Sequence, residues 1–315
     1  MTTAHGLTLD ESAVLTRRVT LLSVCTAAVL VTIKVVAWMA SDSVALLASM
    51  ADSALDLLAS LMTFFAVRYA ASPPTAEYRY GHGKAEAFAS LVQGGLVFAS
   101  AALIAREAIG DLIHPRLIHA EGWAMTVMAV SILLTGLLIV AQGRVLRSTN
   151  SVAVSGDRAH YASDLASNAL ALVGIGLAAW FGLGWIDALA GLGIAILLVG
   201  GAVGVFREAS GQLLDRELPR EARARIIGLL TEDGRLTDVH QLRTRAAGPY
   251  LHIQMHVDLD PDLTLEVAHE VIVAAERRVL SAFPAADIII PADPRGRGEP
   301  HGIGTFAEHG PPYPS

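Results

Sequence analysis

Cysteine is almost absent from this chain of 315 residues: Cys25 is the only one, and it sits in an apolar run. That excludes disulfides and cysteine-rich metal sites. Charge is sparse as well. Only 17% of the residues are Asp, Glu, Lys or Arg, and the net charge of -7 offers no basic surface for nucleic acid. The stretch from Met1 to Arg18 lacks the charged, then apolar, then small-residue pattern of a cleaved signal peptide, so none is expected. There is no GxxxxGK[ST] phosphate loop through which ATP would drive the protein. There is no HExxH helix to supply the general base of an intramembrane metalloenzyme.

What the chain has in abundance is apolar surface. Its 53% of hydrophobic residues and mean hydropathy of +0.50 are too high for an ordinary soluble protein. The apolar mass falls into six stretches near 19–40, 44–69, 86–109, 121–142, 160–181 and 186–206. Each is long enough to cross a bilayer, which takes about 20 residues. Backbone groups in lipid must be satisfied internally, so the stretches are predicted helices. Breaks fall at Ser41–Ser43, Ser72–Pro74, His114–Arg116 and Gly182–Gly184. Basic residues in the short loops (Arg17, Arg79, Lys84, Arg144, Arg158 and Arg216 among them) gather on one side. The other side offers Arg116, with Arg106 just inside a span end. Both termini are therefore expected in the cytoplasm.

After Phe206 the pattern changes. Helices are read over Pro219–Thr231 and Leu263–Phe283, and strands over Thr237–Arg245, Tyr250–Leu259 and Ala286–Ile290. In the second strand Leu251, Ile253, Met255 and Val257 alternate with polar residues, the signature of a half-buried strand. The expected fold is an all-α six-helix transmembrane domain over 1–208, followed by a small cytoplasmic α/β domain of order α-β-β-α-β over 209–293. Residues 294–315, rich in Pro, Gly and charge, read as a disordered tail.

The chemistry lies in what apolar spans ought to exclude. Asp52 and Asp56 lie one helical turn apart in the second span, and His160 and Asp164 repeat that spacing in the fifth. Paired carboxylates are costly in a membrane unless something neutralises them. Two matching pairs on separate spans could offer one imidazole nitrogen and three carboxylate oxygens, a tetrahedral set for a divalent cation. That donor set favours zinc, with iron, cobalt, nickel, manganese and cadmium as alternatives. Because ligands must be deprotonated, His160 also supplies a proton handle near pH 6.5. Ser163 and Asn168 are candidate supporting donors. Lys34, one turn from Trp38, reads as a structural residue that snorkels. Proton-coupled efflux of a divalent metal is the expected function. A membrane-anchored metal sensor is the alternative.

Several motifs then resemble the cation diffusion facilitator family, and its bacterial zinc/proton antiporter branch in particular. They are Met50–Ser60, Tyr80–Glu86, His160–Asp164, Leu213–Pro219 and Leu242–Arg245. The resemblance runs from about 15 to 293. It implies six spans, a metallochaperone-like cytoplasmic domain, a homodimer in a bacterial inner membrane and alternating access. It also implies a transport site of Asp52, Asp56, His160 and Asp164, with zinc as cargo and as an ion bound in the cytoplasmic domain. Ligands there would be His240, His256, His269 and Asp293, with Pro291 standing where the family usually has a histidine. The family's loop site would fall on Thr75, Tyr78 and His82, of which only His82 can coordinate. Lys84 and Asp215 would form an ion pair at the membrane surface. His252, His301 and His309 read as exposed histidines.

Overall fold

The computed structural model describes residues 7–41, 44–113, 122–181, 184–236 and 238–297. The breaks expected at Asp42–Ser43, His114–Arg116 and 182–183, the tail from 298 onward, and His301 and His309 lie outside those residues. Six long helices come first: α1 (Leu9–Ser41), α2 (Val44–Ala70), α3 (Ala85–Ile113), α4 (Gly122–Thr149), α5 (Val152–Phe181) and α6 (Gly184–Leu213). Five of them contain a described segment long and apolar enough to cross a membrane: Leu9–Met39, Asp52–Ala70, Ala85–Gly110, Thr126–Thr149 and Ala188–Leu213. α5 is interrupted by Asp157, Arg158, His160 and Asp164 and is not among them.

Two helices begin earlier than the hydropathy indicates, and capping is the reason. Thr8 and Glu11 cap α1 reciprocally. The Thr8 N–H donates to the Glu11 carboxylate at 2.9 Å, and the Glu11 N–H donates to Thr8 Oγ1 at 3.3 Å. α5 starts at Val152 rather than 160, where Ser151 Oγ accepts the Val154 N–H at 3.4 Å. The earlier start places Asp157 inside the helix.

The helices invert the pattern of a soluble core. Large apolar side chains such as Val36, Met39, Phe65, Leu133 and Leu197 face outward. The helix contacts are made by small or polar ones, including Ala27, Ala59, Ala101, Ala202 and Ser60. Small residues let helix backbones approach, which is how helices associate when the solvent is itself apolar. α3 and α6 pack along one another through Val97, Ala101, Leu198 and Ala202.

The α/β unit comprises α7 (Arg220–Thr231), β1 (Asp238–Ala247), β2 (Tyr250–Leu259), α8 (Leu265–Ala282), β3 (Ala286–Ile289) and β4 (Ala292–Pro294). β1 lies antiparallel to β2, while β3 and β4 run parallel along its other edge. Ile253, Met255 and Val257 of β2 bury against Ile226 and Leu230 of α7 and Val271 and Val279 of α8. The third expected strand proves to be two. Both keep one register with β2 (Gln254 opposite Ile289, Val257 opposite Ala292), and the pairing lapses between them, where Pro291 has no N–H to donate. Pro291 still accepts the Val257 N–H at 3.1 Å. Pairing continues through Pro294, and the Arg295 N–H reaches Leu259 O at 2.8 Å, so the first residues assigned to the tail belong to the sheet.

One end of the bundle meets this unit. A crevice lined by Ser12, Asn150, Gln212 and Ala246 gathers the start of α1, the α4–α5 junction, the end of α6 and β1. The 71–84 segment between α2 and α3 joins them, with the Tyr250 hydroxyl donating to Ser72 O at 3.4 Å. This fixes a near side and a far side for every helix.

Candidate metal centre

Asp56 on α2 and His160 and Asp164 on α5 converge inside the bundle. His160 Nε2 lies 3.1 Å from Asp56 Oδ1 and 3.8 Å from Asp164 Oδ2. One donor atom from each of the three lies within 4.8 Å of the other two, the spacing of groups that share an ion. His160 is buried, and Asp164 Oδ2 and His160 Nδ1 are both buried without a hydrogen-bond partner among the described residues. A buried carboxylate oxygen with no donor is costly, and a cation would satisfy it.

Asp52, one turn before Asp56, lines the same cavity of about 180 Å³ but stands outside the group of three. Also on the wall are Ser167 and Asn168, while Ser163 is fully buried beside it with its hydroxyl unpartnered among the described residues. Lys34 departs from the sequence reading. It is buried, not snorkelling: its ammonium donates to Ser49 O at 3.1 Å and Ser53 Oγ at 2.5 Å, and the side chain lines the cavity. With its three carboxylates (Asp52, Asp56, Asp164) and the Lys34 ammonium ionised and His160 neutral, the cavity would carry two net negative charges. That is the complement of a divalent ion.

A second trio lies on the α/β unit, across three adjacent strands. His240 of β1 faces His256 of β2, and Asp258 of β2 faces Asp293 of β4. Asp293 Oδ2 is 3.3 Å from His240 Nε2 and 3.0 Å from His256 Nδ1, and the two imidazoles stack with centroids 5.7 Å apart. A bulge after His240, with Gln241 at φ 51°, sets the direction of that side chain. His269 is exposed on α8 and outside the trio. Pro291 lines a neighbouring pocket with His256, Gln241 and Arg243.

His82 packs between Tyr69 and Tyr78, with ring centroids 4.4 and 5.0 Å away. Thr75 and Tyr78 close a turn on each other, the Tyr78 N–H donating to Thr75 Oγ1 at 3.1 Å. Lys84 Nζ and Asp215 Oδ1 are 2.9 Å apart, and Arg245 joins them at 3.1 Å from Asp215 Oδ2, a partner the sequence reading missed. Slight burial pushes the Asp215 carboxyl up. The Lys84 hydrogen bond and the Arg245 and Lys84 charges outweigh it and hold the carboxyl below the usual carboxylate range. Near it, Glu217 accepts from both the N–H and the hydroxyl of Thr244. His252, read as exposed, is buried, with Nδ1 3.2 Å from Asp287 Oδ2.

Residues 20–214 match the family model of the cation efflux transmembrane domain, and residues 218–295 match that of the cation efflux protein cytoplasmic domain. The cation-efflux pump FieF of Shewanella oneidensis is 40% identical over 272 residues, 86% of this chain and 92% of that protein. FieF of Citrobacter koseri is 39% identical over 268 residues, covering 85% and 89% of the two chains. FieF of Klebsiella pneumoniae subsp. pneumoniae is 38% identical over 280 residues, covering 89% and 93%. With membrane-crossing helices, a metal-ready cavity among them and both family domains in order, the chain belongs to the cation efflux family, the cation diffusion facilitators, as a multi-pass membrane transporter of metal cations.

Proposed function

We propose that the protein exports zinc from the cytoplasm in exchange for protons, using Asp52, Asp56, His160 and Asp164 as the transport site. The observation that carries this reading is the meeting of Asp56, His160 and Asp164 within ligand distance, with Asp164 Oδ2 buried and without a hydrogen-bond partner among the described residues. One imidazole with carboxylates suits zinc better than magnesium or calcium, which prefer oxygen alone. Asp52 completes four donors after a modest rotation or shift of α2, from its place on the same cavity wall. Protons compete with metal for the same atoms, so a proton arriving at His160 weakens the site and favours release.

In this reading α5 is the sixth membrane-crossing helix, its polar residues facing the bundle rather than lipid. The membrane part spans about 1–208 and the soluble part runs from 209 through the last sheet residues near 295, with both termini in the cytoplasm of a bacterial cell and the soluble part pairing two protomers. The trio His240, His256 and Asp293 holds one regulatory or structural zinc per protomer. A purely sensory role would need only that trio; the charge buried in the bundle argues for transport. The test is zinc flux in proteoliposomes across a pH gradient, with cadmium, cobalt and ferrous iron as competitors. Asp56→Ala and Asp164→Ala should insert and dimerise yet fall to background flux. Flux at the parent rate in either variant refutes the assignment.

A further inference from the structure

Asp157 is a buried carboxylate that the metal centre does not use. It lies on α5 three residues before His160, about 4.5 Å nearer the soluble domain along the helix. Its Oδ2 accepts from Gln142 Nε2 of α4 at 2.8 Å, and its Oδ1 accepts from Gln93 Nε2 of α3 at 3.2 Å. Gln142 Nε2 also donates to Ser23 Oγ of α1 at 3.1 Å, and Gln93 Nε2 to Thr63 Oγ1 of α2 at 2.9 Å. Five helices are thus tied at one level. Beside this layer, against the cavity, the Tyr161 hydroxyl lies 2.7 Å from Ser60 Oγ and donates to Ser23 O at 3.3 Å. All of these side chains are at most 1% exposed.

The metal cavity extends the other way. Its wall is built from Lys34 of α1, Ser100 of α3, Thr135 of α4 and Asn168 of α5, each on the far half of its helix from the soluble domain. We infer that the Gln93–Asp157–Gln142 layer is the barrier that closes the metal site toward the cytoplasmic domain, and that parting Gln93 from Asp157 opens the loading path for a divalent cation. Gln93 belongs to α3, which packs along α6, while the other members belong to α1, α2, α4 and α5. The Gln93 contacts therefore tie one helix pair to a four-helix group, which is where relative movement would open a path. The closed layer is also not fully satisfied. Gln93 Oε1 and Gln142 Oε1 are buried without a hydrogen-bond partner among the described residues. Buried polar groups left unpaired carry a cost that entering water removes, so this layer is poised to open in a way an apolar core is not. Once open, the Asp157 carboxylate faces the incoming cation.

This inference rests on the transport reading above, and its test separates the two. In a Cys25→Ser background, Ser60→Cys provides a single thiol just behind the layer. It is labelled with a membrane-impermeant maleimide from each face, in inside-out and right-side-out vesicles. Asp157→Ala should speed labelling from the cytoplasmic face roughly tenfold, the scale of a lost hydrogen bond to a buried charge. Gln93→Met keeps the side-chain length, removes only the polar bonds, and should do the same if Asp157→Ala does not fold. Unchanged labelling in Gln93→Met, or acceleration from the outer face alone, overturns the barrier. Asp56→Ala is assayed for zinc flux in the same vesicles. Lost flux there with unchanged labelling sinks the barrier alone, and retained flux sinks the transport site and the barrier's role with it.

Discussion

At the scale of single residues, the proposed transport site makes cargo selectivity a matter of the cavity's electrostatics. His160 is the one nitrogen donor among carboxylates, so His160→Asp would make an all-oxygen site and admit harder ions. The expected result is a lower zinc-over-manganese preference in competition flux; an unchanged ratio removes that role from His160. Lys34 is the cavity's fixed positive charge. Lys34→Met should hold zinc more tightly and turn it over more slowly, so both KM and maximal flux fall, whereas a purely structural lysine would change neither selectively. Asp52, Asp56, His160 and Asp164 stand out in the sequence because ionisable side chains one turn apart are costly in apolar spans unless a cation offsets them. Which way Lys34 points is not written there. A lysine in a helix either reaches the interface or turns inward to a counter-charge, and only packing against Ser49 and Ser53 selects the second. Asp157 was hidden for a related reason: the polar run before His160 resembles a loop until Ser151 caps it into α5.

Among elements, the 71–84 segment and the β1–β2 turn meet backbone to backbone. A Cβ on Gly83 would fall 1.9 Å from Ala247 O, and one on Gly248, at φ +56°, would fall 2.5 Å from Gly83 O. Gly83→Ala should therefore push the hairpin off the bundle, read as faster proteolysis of the 71–84 segment with secondary structure retained. Asp215 clamps the same junction through Lys84 and Arg245. Because its folded pKa is depressed, its contribution is present above the ordinary aspartate value of about 3.9 and is lost as pH falls through the lower folded one. Asp215→Asn should lower the thermal midpoint at pH 7, with the difference shrinking below about pH 4; an equal difference at both pH values would exclude an ionic origin. Helix and strand types were legible from periodicity, since hydropathy and alternation are local. The β3–β4 interruption and the contact of Arg245 with Asp215 were not, because they depend on which distant segments pair.

For the whole molecule, the division between an apolar bundle and a water-facing α/β unit follows from composition, because a chain this apolar cannot bury its helices in a soluble core of this size. The meeting of α2 with α5, and of β1 and β2 with β4, is a tertiary fact that spacing suggests only in part. In the proposed function the two trios bind metal separately. His256→Ala should lose one zinc per protomer in calorimetry on the full protein while zinc still binds in the bundle; loss of both ions together would mean that the sites are one cooperative unit. The most direct measurement is zinc-edge anomalous scattering from the full-length protein crystallised with zinc. A peak is expected among the helices within about 2.0–2.2 Å of Asp56, His160 and Asp164. Zinc density confined to His240, His256 and Asp293, or bound in the bundle by other side chains, would contradict it.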